Sequence, residues 1–181
     1  MMTDDNTRPM PAARLAVAAT LALVSGPALA AGLEFEVTLP QPEASPAYRP
    51  YLAAWIEEPG SKEIRGTVAV WYDTRLRDNL GRGFLRDLRS WWRAEGEKLD
   101  LPADGLSGPT RGPGTHKVAV APENAALTGL SAGDYVLAVE VSREDGGRET
   151  LRAPFRWGDA ENSAEVTGER EITRLKVTAN P

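Results

Sequence analysis

The chain has 181 residues, 26 acidic against 21 basic side chains, one histidine and no cysteine, for a formal net charge of −5 at pH 7. This length supports a single domain with a buried core, and 41% hydrophobic with 26% charged residues excludes a disordered chain and a polytopic membrane protein. The missing thiols exclude disulfides, thiolate catalysis, iron–sulfur clusters and cysteine-bound zinc, and a pI near 5.1 has the wrong sign for a general nucleic-acid binder.

Residues 10–30, MPAARLAVAATLALVSGPALA, have the layout of an export leader. Arg14 is the positive n-region, Leu15 to Val24 the apolar run, and Ala28-Leu29-Ala30 the small-x-small cleavage site. The run is about half of the roughly 20 residues a spanning helix needs. The expectation is a cleaved signal peptide over residues 1–30, with Met10 as an alternative start, and a single mature periplasmic domain over residues 31–181 without a transmembrane segment.

Beyond the leader the apolar residues alternate with period two, the pattern of half-buried strands. Leu33, Phe35 and Val37 share one face of the first strand; Tyr51 to Ile56 is a nearly continuous apolar run closed by Glu58-Pro59-Gly60-Ser61. Thr67 to Tyr72 is β-branched and aromatic, and Thr115 to Val120 is a shorter strand. Tyr135 to Val141 and Thr150 to Phe155 flank the hairpin signal Asp145-Gly146-Gly147. A polar stretch from Gly158 to Arg170 reads as a mobile excursion before a last strand, Ile172 to Val177.

One segment changes period. Phe84, Leu85, Leu88, Trp91 and Trp92 fall on one helix face, with Gly96 as a stop signal. This predicts one inserted α-helix over about residues 83–94. Arg82, Arg86, Arg89 and Arg93 then form a basic stripe along it, readable as an anion site or as a solvated helix back. Short strands with frequent turns predict a mainly β fold, an immunoglobulin-like or fibronectin-like β-sandwich carrying this helix.

Conventional catalytic constellations are missing from the sequence. His116 would have to serve any Ser-His-Asp triad or histidine-bound zinc, and no other residues converge on it. G-x-S-x-G and H-E-x-x-H do not occur, and the segment Gly108 to Gly114 lacks the Gly-Lys-Ser/Thr ending of a phosphate loop. The reading is a non-catalytic protein with no catalytic residue and no metal ligand assigned.

The segment Asp104-Gly105-Leu106-Ser107-Gly108-Pro109-Thr110 carries the functional signal. It resembles the acceptor motif of bacterial FMN transferases, Asp-(Gly/Ala)-x-(Ser/Thr)-Gly-Ala-Thr. The resemblance implies that Thr110 receives FMN through a phosphoester bond, with Asp104, Gly105, Ser107 and Gly108 forming the rest of the cofactor-bearing loop. It also implies an FMN transferase and a periplasmic or membrane redox partner. The residue types suit the chemistry: an alcohol must enter another enzyme's active site on a thin backbone, and Gly105, Ser107 and Gly108 add little bulk. Asp104 has the position to shape the turn by bonding amides two residues on. Pro109 departs from the motif, because it removes an N–H and biases Gly108 towards extended conformations. A plain tight connection into the Thr115 strand is the alternative use of these residues.

The flanks carry a wider resemblance. Pro50 to Glu57, Phe84 to Arg93, Ser107 to Thr115, Ala132 to Glu140, Gly146 to Glu149 and Pro154-Phe155 resemble, in order, the exported bacterial family known as domain of unknown function 2271. The resemblance implies an exported β-rich domain, often encoded beside membrane proteins with periplasmic PepSY modules, and no established activity. The Ala132-Gly133-Asp134-Tyr135 run is also similar to immunoglobulin-like modules of flagellar hook-cap proteins. Two functions follow as expectations: a periplasmic electron carrier with FMN on Thr110, or a cofactor-free binding or accessory module for an envelope protein. A hydrolase built on His116 is a third, remote class.

Overall fold

The computed structural model describes residues 32–43, 48–158 and 160–180; the expected export leader lies outside the described residues. The strands are β1 (Gly32–Leu39), β2 (Tyr51–Glu57), β3 (Ile64–Trp71), β4 (Ser107–Gly108), β5 (Gly114–Val120), β6 (Gly133–Ser142), β7 (Arg148–Trp157), β8 (Asn162–Thr167) and β9 (Arg174–Asn180). Two short α-helices accompany them, α1 (Arg89–Ala94) and α2 (Ala125–Thr128). One sheet has the order β5-β1-β9-β8 and the other β4-β3-β2-β6-β7. The expected two-layer, mainly β architecture is what these sheets carry.

The alternation in β1 and β9 explains the first layer. Leu33, Phe35, Val37 and Leu39 point into the core opposite polar neighbours, and Leu175, Val177 and Ala179 do the same on the paired strand. The second sheet is different because both faces of its central strands are covered. Leu52, Ala54 and Ile56 of β2 pack into the core shared with the first sheet. Tyr51, Ala53 and Trp55, the alternate residues, pack with Val70, Tyr72, Leu85, Leu88 and Trp91 in a second core. The unbroken apolar run of β2 is therefore a strand sandwiched between a sheet and a helical layer.

That helical layer corrects the expectation of one helix over residues 83–94. The chain instead makes a 3₁₀ segment over Arg77–Asp87, with Asp78 and Asn79 at φ 53° and 54°, and then the separate α1. Leu88 between them leaves helical geometry at φ −79°, ψ 67°. Tertiary bonding explains the break. The fully buried Glu140 carboxylate on β6 accepts the amides of Ser90 at 3.0 Å and Trp91 at 3.0 Å, so α1 starts where that carboxylate sits. The Trp91 indole N–H donates to Thr67 Oγ1 at 2.9 Å and its ring is fully buried. Glycines at 81 and 83 further lower the helix propensity of the first half.

Consequently the basic stripe does not run along one continuous helix: Arg82 and Arg86 lie in the 3₁₀ segment, Arg89 and Arg93 on α1. Arg82 reaches the carbonyls of Glu97 and Leu99 and covers the Trp92 ring at 5.4 Å, while Arg93 bonds the Arg89 carbonyl. Phe84, expected in the core, is 41% exposed.

The expected mobile excursion over Gly158–Arg170 is also corrected, because it contains β8. Ala164 and Val166 pack against the core opposite Val177 and Leu175, with Ser163, Glu165 and Thr167 turned outwards. Two apolar residues gave too weak a period-two signal. The last strand accordingly begins at Arg174, with Ile172 buried just before it.

Candidate functional site

The 104–110 loop is built as an edge of the second sheet. Gly105 takes φ 74°, a conformation that glycine adopts without strain. The Ala103 carbonyl accepts the amides of Leu106 at 3.2 Å and Ser107 at 2.9 Å, and Ser107 Oγ accepts the Ala103 amide at 3.0 Å. The expected turn-shaping role of Asp104 thus belongs to Ser107, and the Asp104 side chain is exposed. Strand β4 then runs parallel to β3: Val70 donates its amide to the Leu106 carbonyl at 2.8 Å and Tyr72 donates to the Gly108 carbonyl at 3.0 Å. Pro109 follows directly, exposed, where the missing N–H interrupts further pairing.

Trp71, at the end of β3, anchors what comes next. A side chain at 108 would touch it, since a Cβ there would lie 3.5 Å from the indole Cδ1. The Arg111 guanidinium lies over its ring at 4.2 Å. The His116 ring meets it edge-on at 5.7 Å and donates from Nε2 to the Gly112 carbonyl at 2.7 Å. His116 therefore fixes the loop between β4 and β5. Among the described residues no group of three or more His, Cys, Asp or Glu side chains is arranged to hold a metal ion.

The five motif residues do not converge on one point. Asp104 and Gly105 line a cleft of about 450 Å³ with Leu106, Thr67 and Glu123. Thr110, half-buried, lines another of about 470 Å³. Ser107 and Gly108 belong to the strand between them.

The Thr110 cleft has walls the sequence did not announce. Tyr48, Tyr51, Phe84 and Leu76 supply apolar surface, and Arg49, Arg75, Asp73 and Glu144 supply charge. Tyr51 and Phe84 are stacked, centroids 5.9 Å apart and planes 6° apart. Among the described residues the exposed large hydrophobics are Tyr48, Leu76, Leu80 and Phe84, and three of these four line this one cleft. Arg75 is tied to Asp73 at 3.5 Å. Burial first, then the nearby Glu144, Asp73 and Asp87 carboxylates, raise the Tyr51 phenol above its ordinary pKa, so it remains a neutral hydrogen-bond donor. These residues come from four separate stretches, 48–51, 73–76, 84 and 144, so only the fold collects them.

No helix among the described residues is long and apolar enough to cross a membrane. No curated protein and no solved structure shows a match to the chain. Residues 32–174, nearly the whole of the described domain, match a family described as a predicted periplasmic protein, DUF2271. The flanking segments and the Ser107–Thr115 loop lie inside that match, and the chain belongs to the DUF2271 family of predicted periplasmic proteins.

Proposed function

We propose that this periplasmic protein is an electron carrier that holds FMN covalently on Thr110. The observation that supports the reading is the position of Thr110: the motif's threonine lines an aromatic-walled cleft of about 470 Å³, within the range of small-molecule sites. A flavin bound there supplies the electron-accepting and electron-donating chemistry, and the protein supplies placement and exposure. In the attachment reaction the Thr110 oxygen forms a P–O bond to the flavin phosphate. The pyrophosphate bond of a flavin dinucleotide breaks, a nucleoside monophosphate leaves, and the hydroxyl proton passes to a base of the transferase. Arg49 and Arg75 at the cleft are the cations available to the attached phosphate.

Co-expression of the exported chain with an FMN transferase tests this. The expected result is a mass gain of one esterified FMN and a fluorescent band after denaturation, both lost in Thr110→Val and kept in Thr110→Ser. An unmodified wild-type chain, under conditions that load a control acceptor, contradicts the reading.

The second reading, a cofactor-free accessory module for an envelope protein, draws on the exposed group Tyr48, Leu76, Leu80 and Phe84. It expects Thr110→Val to capture the same envelope protein as wild type and Phe84→Ser to lose it.

A further inference from the structure

Phe84 is the least expected feature of this site. Its spacing places it on one helix face with the fully buried Leu85, Leu88 and Trp91, yet it is 41% exposed. Its ring lies nearly parallel to that of Tyr51 and displaced from it, centroids 5.9 Å apart and planes at 6°, so the pair forms a step beside Thr110. Tyr51 is 8% exposed and anchored in β2, which fixes the step to the sheet. Tyr48 and Leu76, 38% and 40% exposed, add apolar surface around it. A chain that leaves these side chains open to water beside one threonine has a surface suited to a planar aromatic guest.

We infer that Phe84, backed by Tyr51 and flanked by Tyr48 and Leu76, is the seat of the flavin's planar ring system. The inference rests on the Thr110 reading for the tether, but the seat itself is a property of the cleft. Stacking on an aromatic face excludes water from one side of the guest and gives it a fixed orientation. The tethered ring is then held against the protein rather than swinging in solvent.

The experiment uses the flavin-loaded chain and its Phe84→Ala variant, with intact mass read separately from flavin emission and visible circular dichroism. Phe84→Ala removes an exposed side chain, and a thermal melt of each protein confirms that the fold is kept. The expected result is equal flavin mass in both proteins, visible dichroism in wild type that is absent from the denatured sample, and loss of that dichroism in the variant with at least a twofold fall in flavin emission anisotropy. Equal dichroism and equal anisotropy in wild type and variant overturn the seat while leaving the covalent reading intact.

If the chain gains no flavin mass, the covalent reading fails, and free riboflavin titrated into the unmodified protein tests the seat alone. A saturable rise in riboflavin emission anisotropy, with an affinity that Phe84→Ala weakens at least fivefold, supports it. No saturable rise, or the same affinity in both proteins, overturns it.

Discussion

The Arg111 guanidinium lies 4.2 Å from the centroid of the Trp71 indole, directly after the threonine that borders the cleft. Trp71 is 2% exposed and fixed by its place in β3, so this contact ties the loop to the sheet. A cation–π contact at a partly exposed site contributes about 0.5–1 kcal/mol. Arg111→Ala is expected to lower the melting temperature by about 1–4 °C, given about 2–4 °C per kcal/mol for a domain of this size. Arg111→Lys recovers only part of that, because an ammonium lacks the planar face. Thermal melts at fixed pH and salt decide; an unchanged midpoint in Arg111→Ala removes the anchoring role.

Pro109 is exposed and stands where the acceptor motif has alanine. Its nitrogen has no hydrogen, so the replacement deletes no backbone bond and restores an amide for an incoming transferase to grip. Pro109→Ala is expected to change stability by less than about 1 kcal/mol and to load flavin at least as fast as wild type. A time course of in-gel flavin fluorescence measures it. Slower loading would show that the fixed φ of proline helps to present the threonine.

The parts legible in the sequence were those where one local signal matched one environment. The alternation in β1 and the hairpin at Asp145-Gly146-Gly147 read correctly because each reports a single face or turn. The failures have a shared cause in distant partners. The 83–94 helix breaks because Glu140, some fifty residues away, captures two amides at the start of α1. No helical periodicity contains that contact, nor the exposure of Phe84 in the 3₁₀ segment before the break. Strand β8 escaped because its strongest support is its neighbour β9 rather than its own side chains. Thr110 was visible through its motif, whereas its cleft depends on Tyr48, Tyr51, Leu76 and Phe84 meeting across three segments.

Gly96 is a helix stop signal in the sequence, and its buried position adds a second constraint. A Cβ there would lie 2.5 Å from Trp91 Cζ3, far inside contact distance, in a site with no exposed route for relief. Gly96→Ala therefore displaces an indole whose N–H is bonded to Thr67. The expected loss is about 1–3 kcal/mol from overpacking, with a red shift in tryptophan emission. Urea titration followed by fluorescence tests both, and a wild-type midpoint would mean that the indole has room to move.

Glu140 is fully buried and holds the amides of Ser90 and Trp91, with Arg148 Nε 3.6 Å from one oxygen. Removing the acceptor leaves two N–H groups without partners and one arginine without its anion. Each unsatisfied buried group costs about 1–3 kcal/mol, so Glu140→Ala is expected to lose about 2–5 kcal/mol. Glu140→Gln keeps one acceptor oxygen and is expected to lose less. Denaturant midpoints rank the two; equal losses would indicate that the carboxylate's charge, rather than the amide bonds, sets the cost.

Glu149 gives the fold a pH dependence of known sign. Its carboxylate accepts the amides of Glu169, Arg170, Glu171 and Ile172 at 2.8–3.0 Å, bridging β7 to the turn before β9. Burial pulls its pKa up, but the four amides together outweigh burial and hold it below the ordinary value of 4.5. A depressed folded-state pKa means that the unfolded chain binds the proton more readily. The contribution is therefore complete above the ordinary carboxylate range and is lost as pH falls from about 4.5 through the lower folded-state value. Glu149→Gln retains one acceptor and removes the titrating charge. It is expected to be less stable than wild type by roughly 1–3 kcal/mol at pH 7, the scale of hydrogen bonds to a charged acceptor. The difference should shrink as pH falls below about 4.5, where the unfolded wild-type chain takes up a proton that the folded carboxylate still resists. Chemical denaturation at pH 7, 5 and 3.5 gives the three points, and a gap that stays constant across them would assign the loss to shape rather than to charge.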